Sequence, residues 1–98
     1  MHHFEDDLSA FRDWWATGGR RTRRDSTVTE YIRHLRNWHR WTESQPDGPL
    51  SVPTVRSVRA YVRHVRPRSE WTAVEAVRAL KTYTKWLVID HAVGVCEA

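Results

Sequence analysis

Apolar residues return every third or fourth position along most of the chain, and nowhere do they alternate cleanly with polar ones. That period belongs to amphipathic helices rather than strands. The first segment runs roughly from Glu5 to Ala16, with Phe4, Leu8, Phe11 and Trp15 on one stripe. The second runs roughly from Thr27 to Glu43, with Val28, Tyr31, Ile32, Leu35 and Trp38 facing inward. Thr29, Arg33, Arg36, Asn37 and Arg40 fall on its other side. The third covers roughly Val52 to Arg66: Val55, Val58, Val62 and Val65 form its stripe, and Arg56, Arg59, Arg63 and Arg66 its opposite face. The fourth covers roughly Glu70 to His91, with Ala73, Val77, Leu80, Tyr83, Trp86 and Leu87 inward. Trp71, Glu75, Arg78 and Thr82 lie along a different line of that helix. Four helices with short connectors predict an all-α, compact bundle.

Helix boundaries follow from local chemistry. Asp6 and Asp7 suit the positive end of the first helix, and Gly18–Gly19 end it. Asp25 or Ser26 is the expected N-cap of the second helix, and Ser51 that of the third. Pro53 then sits in the third helix's first turn, where a missing N–H costs nothing, and Pro67 closes that helix. Ser69 is the expected cap of the fourth. Gln45-Pro-Asp-Gly-Pro49 reads as a turn-rich connector. At 98 residues the chain is expected to form one domain, residues 1–98, with an ordered core over about 5–92.

Charge changes this picture. The net charge is only +4, but residues 20–85 hold fifteen of the sixteen Lys/Arg against six Asp/Glu. The ends are acidic and the middle is basic, which favours an anionic partner. Fourteen of the cations are arginine. Arginine grips phosphate and guanine edges bidentately, although a GC-rich coding sequence produces the same bias. Cys96 is the only cysteine, so no disulfide framework forms within one chain. No apolar run is long enough to span a bilayer, and the first residues do not form a signal peptide. A cytoplasmic location without membrane contact is therefore expected.

Arg20, Arg21, Arg23 and Arg24 crowd the lead-in to the second helix. Cations beside a helix N-terminus offer positive charge and N–H donors to phosphate, so these four are candidate DNA-backbone contacts. Arg33 is a candidate for base or phosphate contact; its plain alternative is an exposed cation paired with Glu30. Ser26 and Thr27 combine a capping role with donation to phosphate. Trp71 either clips the start of the fourth helix or touches DNA. Trp14, Trp15, Trp38 and Trp86 are expected in the core, while Trp41 covers the bundle end or faces a partner domain. The arginine face of the third helix is expected to be solvated; its alternatives are to border the DNA or to meet another subunit.

The spacing of these segments resembles a known family. The second reads S-T-x-x-x-Y-x-x-x-L-x-x-W-x-x-W from Ser26 to Trp41, and the third L-S-V-P-x-V-x-x-V-x-x-Y-V from Leu50 to Val62. The fourth reads R-S-x-x-T-x-x-x-x-V-x-A-L-x-x-Y from Arg68 to Tyr83, followed by Leu87. In that order the chain looks like the N-terminal core-binding (SAM-like) domain of tyrosine recombinases, the phage-integrase family, over about residues 5–92. The resemblance implies one arm of a clamp on double-stranded DNA, whose other arm is the catalytic domain of the same longer protein. It also implies contact with other recombinase protomers assembled on DNA. Carried onto this chain, the groove-facing positions are Thr27, Thr29, Glu30 and Arg33 of the second helix. On the fourth they are Ser69, Trp71, Thr72 and Glu75, with Arg78 one turn on. Family members often carry a basic or amide residue where Trp71 and Glu75 stand here, which moves the phosphate role toward Arg78.

The family's chemistry requires a tyrosine nucleophile and two arginines with histidine or lysine partners, all from the domain that follows. Tyr31, Tyr61 and Tyr83 instead sit on apolar stripes and are expected in the core. The chain is therefore expected to bind DNA without cutting it, with no cofactor and no metal. His34 and His39 share no helical face, and His91 with Cys96 falls short of the four ligands of a closed zinc site. The tail from Ala92 to Ala98 stops where the family continues toward its catalytic domain, so Ala98 is expected to be a boundary within a longer protein. Two other readings fit the same residues: a helical bundle mediating recombinase subunit assembly, and a stand-alone regulator that occupies recombination sites.

Overall fold

In a computed structural model, whose described residues are 3–19 and 25–89, the four helices meet in one core. Helix α1 spans Phe4–Trp14, α2 Asp25–Thr42, α3 Val55–Val65 and α4 Glu70–Ile89. There is no strand among the described residues, and the chain is an all-α bundle of four helices. The largest interface is α2 against α4, followed by α3 against α4. Ala73, Ala76 and Ala79 line the buried face of α4. Their small side chains leave room for the bulk that α2 contributes, Leu35 and Trp38.

Helix α1 closes the core with aromatic rings. Phe11 packs edge-on against Tyr83 and Trp86, each at 5.4 Å between ring centroids. Phe4 stacks on His39 of α2 at 4.1 Å, with the rings 8° from parallel. After Trp14 the backbone widens into a π-helical turn, Trp15–Gly19. Glu5 accepts two hydrogen bonds from the Arg36 guanidinium, at 2.9 and 3.2 Å, tying α1 to α2. These bonds hold the Glu5 carboxyl below its ordinary range.

Two helix starts differ from the sequence reading. Asp25 and Ser26 are already helical in α2, so neither is its N-cap; Asp25 instead places an acid at the positive end of the helix. Helix α3 starts three residues later than expected, because Thr54 rather than Ser51 caps it. The Thr54 side chain accepts from the Ser57 backbone N–H, and Ser57 Oγ accepts from the Thr54 N–H, both at 3.0 Å. This reciprocal pair satisfies two donors that a helix start otherwise leaves open. Pro53 is buried just ahead of the cap and is not in the first turn. Helix α4 follows the expectation at its start: Ser69 Oγ accepts from Thr72 N at 3.1 Å.

Helix α3 does not bury its valine stripe as a whole. Its buried residues are Ser57, Tyr61 and Val65. Val58 and Val62 are half-buried, and Val55 is 70% exposed. The valine stripe therefore lies beside Arg59, Arg63 and Arg66 rather than opposite them. Trp71 is 69% exposed and does not clip the start of α4. Trp15, Trp38 and Trp86 are buried as expected, and Trp14 is half-buried against the core. Tyr31, Tyr61 and Tyr83 are all buried. Burial raises the Tyr83 hydroxyl far above its ordinary range, so that hydroxyl stays protonated.

The connector after α2 folds back on the helix that precedes it. Thr42 Oγ1 donates to the His39 carbonyl at 2.6 Å and accepts from Leu50 N at 3.0 Å. His39 Nδ1 lies 2.6 Å from the Leu50 carbonyl, which can only accept, so that nitrogen carries the proton. Gly48 passes so close that a Cβ there would overlap the Thr42 carbonyl oxygen. This position takes glycine because the backbones touch.

His34 is the one buried histidine among the described residues, and its Nδ1 has no hydrogen-bond partner. Loss of hydration, reinforced by nearby Arg33, lowers its pKa below the ordinary 6.5. The unfolded chain therefore takes up this proton first as pH falls. Stability from this group is complete above about pH 6.5 and is lost as pH drops below it. The lowered carboxyls of Glu5 and Glu30 act only below their ordinary 4.5. Urea midpoints at pH 7.5 and 5.5 should fall for the native chain and fall less for His34→Leu. Equal falls in both would remove His34 as the cause.

Candidate nucleic-acid interface

On α2 the outward residues recur every three or four positions: Ser26, Thr29, Glu30, Arg33, Asn37 and Arg40 are all exposed. They share one face because that spacing matches the helical turn. Thr27 is half-buried on a flank of this face, closer to the line of His34. Arg33 donates to Glu30 at 2.9 Å, and both side chains are 56% exposed. The bond holds the Glu30 carboxyl below its ordinary range. An exposed pair of this kind is worth little and opens at little cost when a phosphate offers two oxygens to the guanidinium.

The lower part of that face meets the start of α4. Asn37 and Trp41 of α2, Tyr61 and His64 of α3, and Arg68, Ser69 and Thr72 surround a concavity of about 370 Å³. Arg33 lies one turn before Asn37 on the same helix face. Trp41 stacks on His64 at 5.7 Å and packs on Tyr61 at 5.3 Å, so one wall is aromatic. Trp41 thus covers the end of the bundle, one of the two roles expected for it. Burial raises the Tyr61 hydroxyl above its ordinary pKa. The opposite wall is the N-terminus of α4, where first-turn N–H groups and the helix dipole favour an anion. Arg68 stands directly ahead of it, exposed, with no carboxylate partner among the described residues.

The structure thus brings Arg33, Ser69 and Thr72 to one side of the molecule. Ser26 and Thr29 continue the same α2 face toward its N-terminus. Arg78 stands apart: it pairs with Glu75 at 3.2 Å and borders a hollow with Val74 and Val77 on the α3 side of α4. Arg20, Arg21, Arg23 and Arg24 lie outside the described residues. Among those described, no three His, Cys, Asp or Glu residues gather as metal ligands. No helix among them is long and apolar enough to cross a membrane.

Sequence reasoning missed Asn37, Arg68 and the Trp41–His64 stack as parts of this site. Arg68 had a legible signal, since it precedes a capped helix start as Arg20–Arg24 precede α2. Asn37 had none, because its role depends on which part of α2 the start of α4 meets. Compared with protein-family models, curated proteins and solved structures, the chain has no match in any of the three.

Proposed function

We propose that this chain is a DNA-binding module, the core-binding arm of a site-specific tyrosine recombinase or integrase that clamps duplex DNA beside the strand-exchange point. The observation that carries the proposal is the convergence of the Arg33–Asn37 face of α2 with the capped, Arg68-flanked N-terminus of α4. The order and spacing of the helical motifs favour the recombinase family over other basic bundles. In this reading Arg33, Arg68 and the α4 N-terminus grip phosphates and fix the register on the duplex. Thr29, Thr72 and Asn37 stand nearest the base edges. The arginines at 20, 21, 23 and 24, which precede α2 in the sequence, would add further phosphate contacts. A second module on the same protein would close the clamp and supply most of the affinity through linkage.

A titration of labelled duplex at several salt concentrations tests this reading. Affinity should fall steeply with salt, because each neutralised phosphate releases counterions. Replacing Arg20, Arg21, Arg23 and Arg24 by alanine should weaken binding and flatten that dependence. Salt-insensitive binding, or a quadruple variant indistinguishable from the native chain, contradicts the phosphate role.

A further inference from the structure

The opposite flank of α3 carries a second surface that DNA binding does not use. A groove of about 810 Å³ runs between α3 and α4. Its apolar lining is aliphatic: Val55, Val58, Val62, Val77 and Leu80. A further hollow of about 270 Å³ shares Val62, Arg66 and Val77 with it and carries the strip on to Val74. Val55 and Val74 are 70% and 40% exposed, unusual for valines set in a continuous row.

The rims are cationic on both sides. Arg59, Arg63 and Arg66 stand along the α3 edge and Lys81 and Lys85 along the α4 edge, and no carboxylate lines the groove. Arg66 reaches Glu70 beyond the end of the groove at 3.3 Å. The other four have no ion-pair partner among the described residues. An apolar strip between two rows of cations is the complement of a helix with an apolar stripe between two rows of carboxylates.

We infer that the α3–α4 groove is a docking site for an acidic amphipathic helix of another protein. Length supports this occupant: α3 has 11 residues, so it presents three turns to a partner helix. Duplex DNA fits poorly, since its backbone would leave the valine lining against phosphate. A second copy of this chain offers no complement either. The exposed large apolar residues among those described are Val55, Trp71, Val74 and Ile89, all on α3 and α4 and none on the acid-rich α1. The groove shares no lining residue with the concavity proposed for DNA, so the two proposals stand or fall separately.

The test uses a fluorescein-labelled helical peptide of about 14 residues, with leucines at i, i+3, i+4 and i+7 spacing and glutamates on both flanks. Its anisotropy should saturate on titration with the 98-residue chain. A peptide of identical composition with the stripe scrambled should bind at least about tenfold more weakly, and a version with lysine for every glutamate should not bind. The exposed double variant Arg59→Glu with Arg63→Glu should lose the peptide while keeping its helical circular dichroism. Val58→Glu should lose the peptide as well, and Arg33→Ala should keep it. Three results would overturn the inference: equal binding of the scrambled peptide, peptide binding unchanged in the double variant, or a concentration-dependent dimer abolished by Val58→Glu. Phosphatidylglycerol vesicles captured through Arg59 and Arg63 in preference to the peptide would overturn it too, in favour of a lipid surface.

Discussion

Trp38→Ala should be the most damaging single substitution among the described residues, at about 3–5 kcal/mol. Trp38 is fully buried in the C-terminal half of α2 and is among the largest of the side chains with no exposure. It contacts the Phe4 ring, with centroids 6.2 Å apart, so its loss opens a cavity between α1 and α2. Domains of this size have only about 5–15 kcal/mol in total, so the variant should sit near its unfolding threshold at ambient temperature. Trp38→Phe provides the control. The indole Nε1–H is buried without a hydrogen-bond partner among the described residues, so phenylalanine removes an unsatisfied donor together with some volume. Its cost should be about 1 kcal/mol, because most of the packing remains and a desolvation penalty disappears. Urea unfolding followed by circular dichroism measures both. Equal losses for Ala and Phe would mean that the indole nitrogen, rather than the ring volume, matters at this position.

The second large effect concerns DNA. Arg33→Ala with Arg68→Ala should weaken duplex binding by about tenfold to a hundredfold at low salt, and should flatten the log–log salt slope by about two. Both side chains are exposed and Arg33 is held only by an exposed pair, so the double variant should fold normally. The matched control is Arg59→Ala with Arg63→Ala, which removes the same charge from the other flank of α3. If binding follows net charge alone, the two double variants will weaken it equally. The proposed interface predicts a much smaller change for the control.

Much of the bundle could be read from periodicity, and the misreadings have physical causes. Helices α1, α2 and α4 carry large residues such as Phe11, Leu35 and Tyr83 on one stripe, so their buried faces were legible. Helix α3 was not, because its valines recur at helical spacing while its actual anchors are mixed. Ser57 is buried because it completes the reciprocal cap with Thr54, and Tyr61 because α2 offers it Trp41. Neither reason is visible without the neighbouring element. The alanines of α4 are similar: Ala76 and Ala79 are fully buried because α2 comes close, and alanine alone does not announce that. Exposure of Trp71 also ran against expectation, since a tryptophan at a helix start suggests a packing role.

Candidate site residues were legible one helix at a time. Arg33 had to be outward because Tyr31, Ile32 and Leu35 are inward, and Ser69 had to cap because Pro67 stops the helix before it. Their convergence was not legible, because it follows from how α2 crosses α4 and from where Arg68 falls in the four-residue connector 66–69. The sequence left the third helix's arginines as a solvated face, or as one that borders DNA or meets another subunit. The structure sets Arg59, Arg63 and Arg66 along an apolar groove, which changes what that surface can bind.

In the proposed complex, DNA lies across α2 and the start of α4. Nitrogen-15 shift mapping during titration with a short duplex, at low and moderate salt, addresses it most directly. The predicted result is a cluster of salt-sensitive shifts at Arg33, Asn37 and the amides of residues 69–72, with Arg59, Arg63, Lys81 and Lys85 nearly unchanged. Shifts centred on Arg59–Arg66 and Lys81–Lys85, with the start of α4 silent, would contradict it.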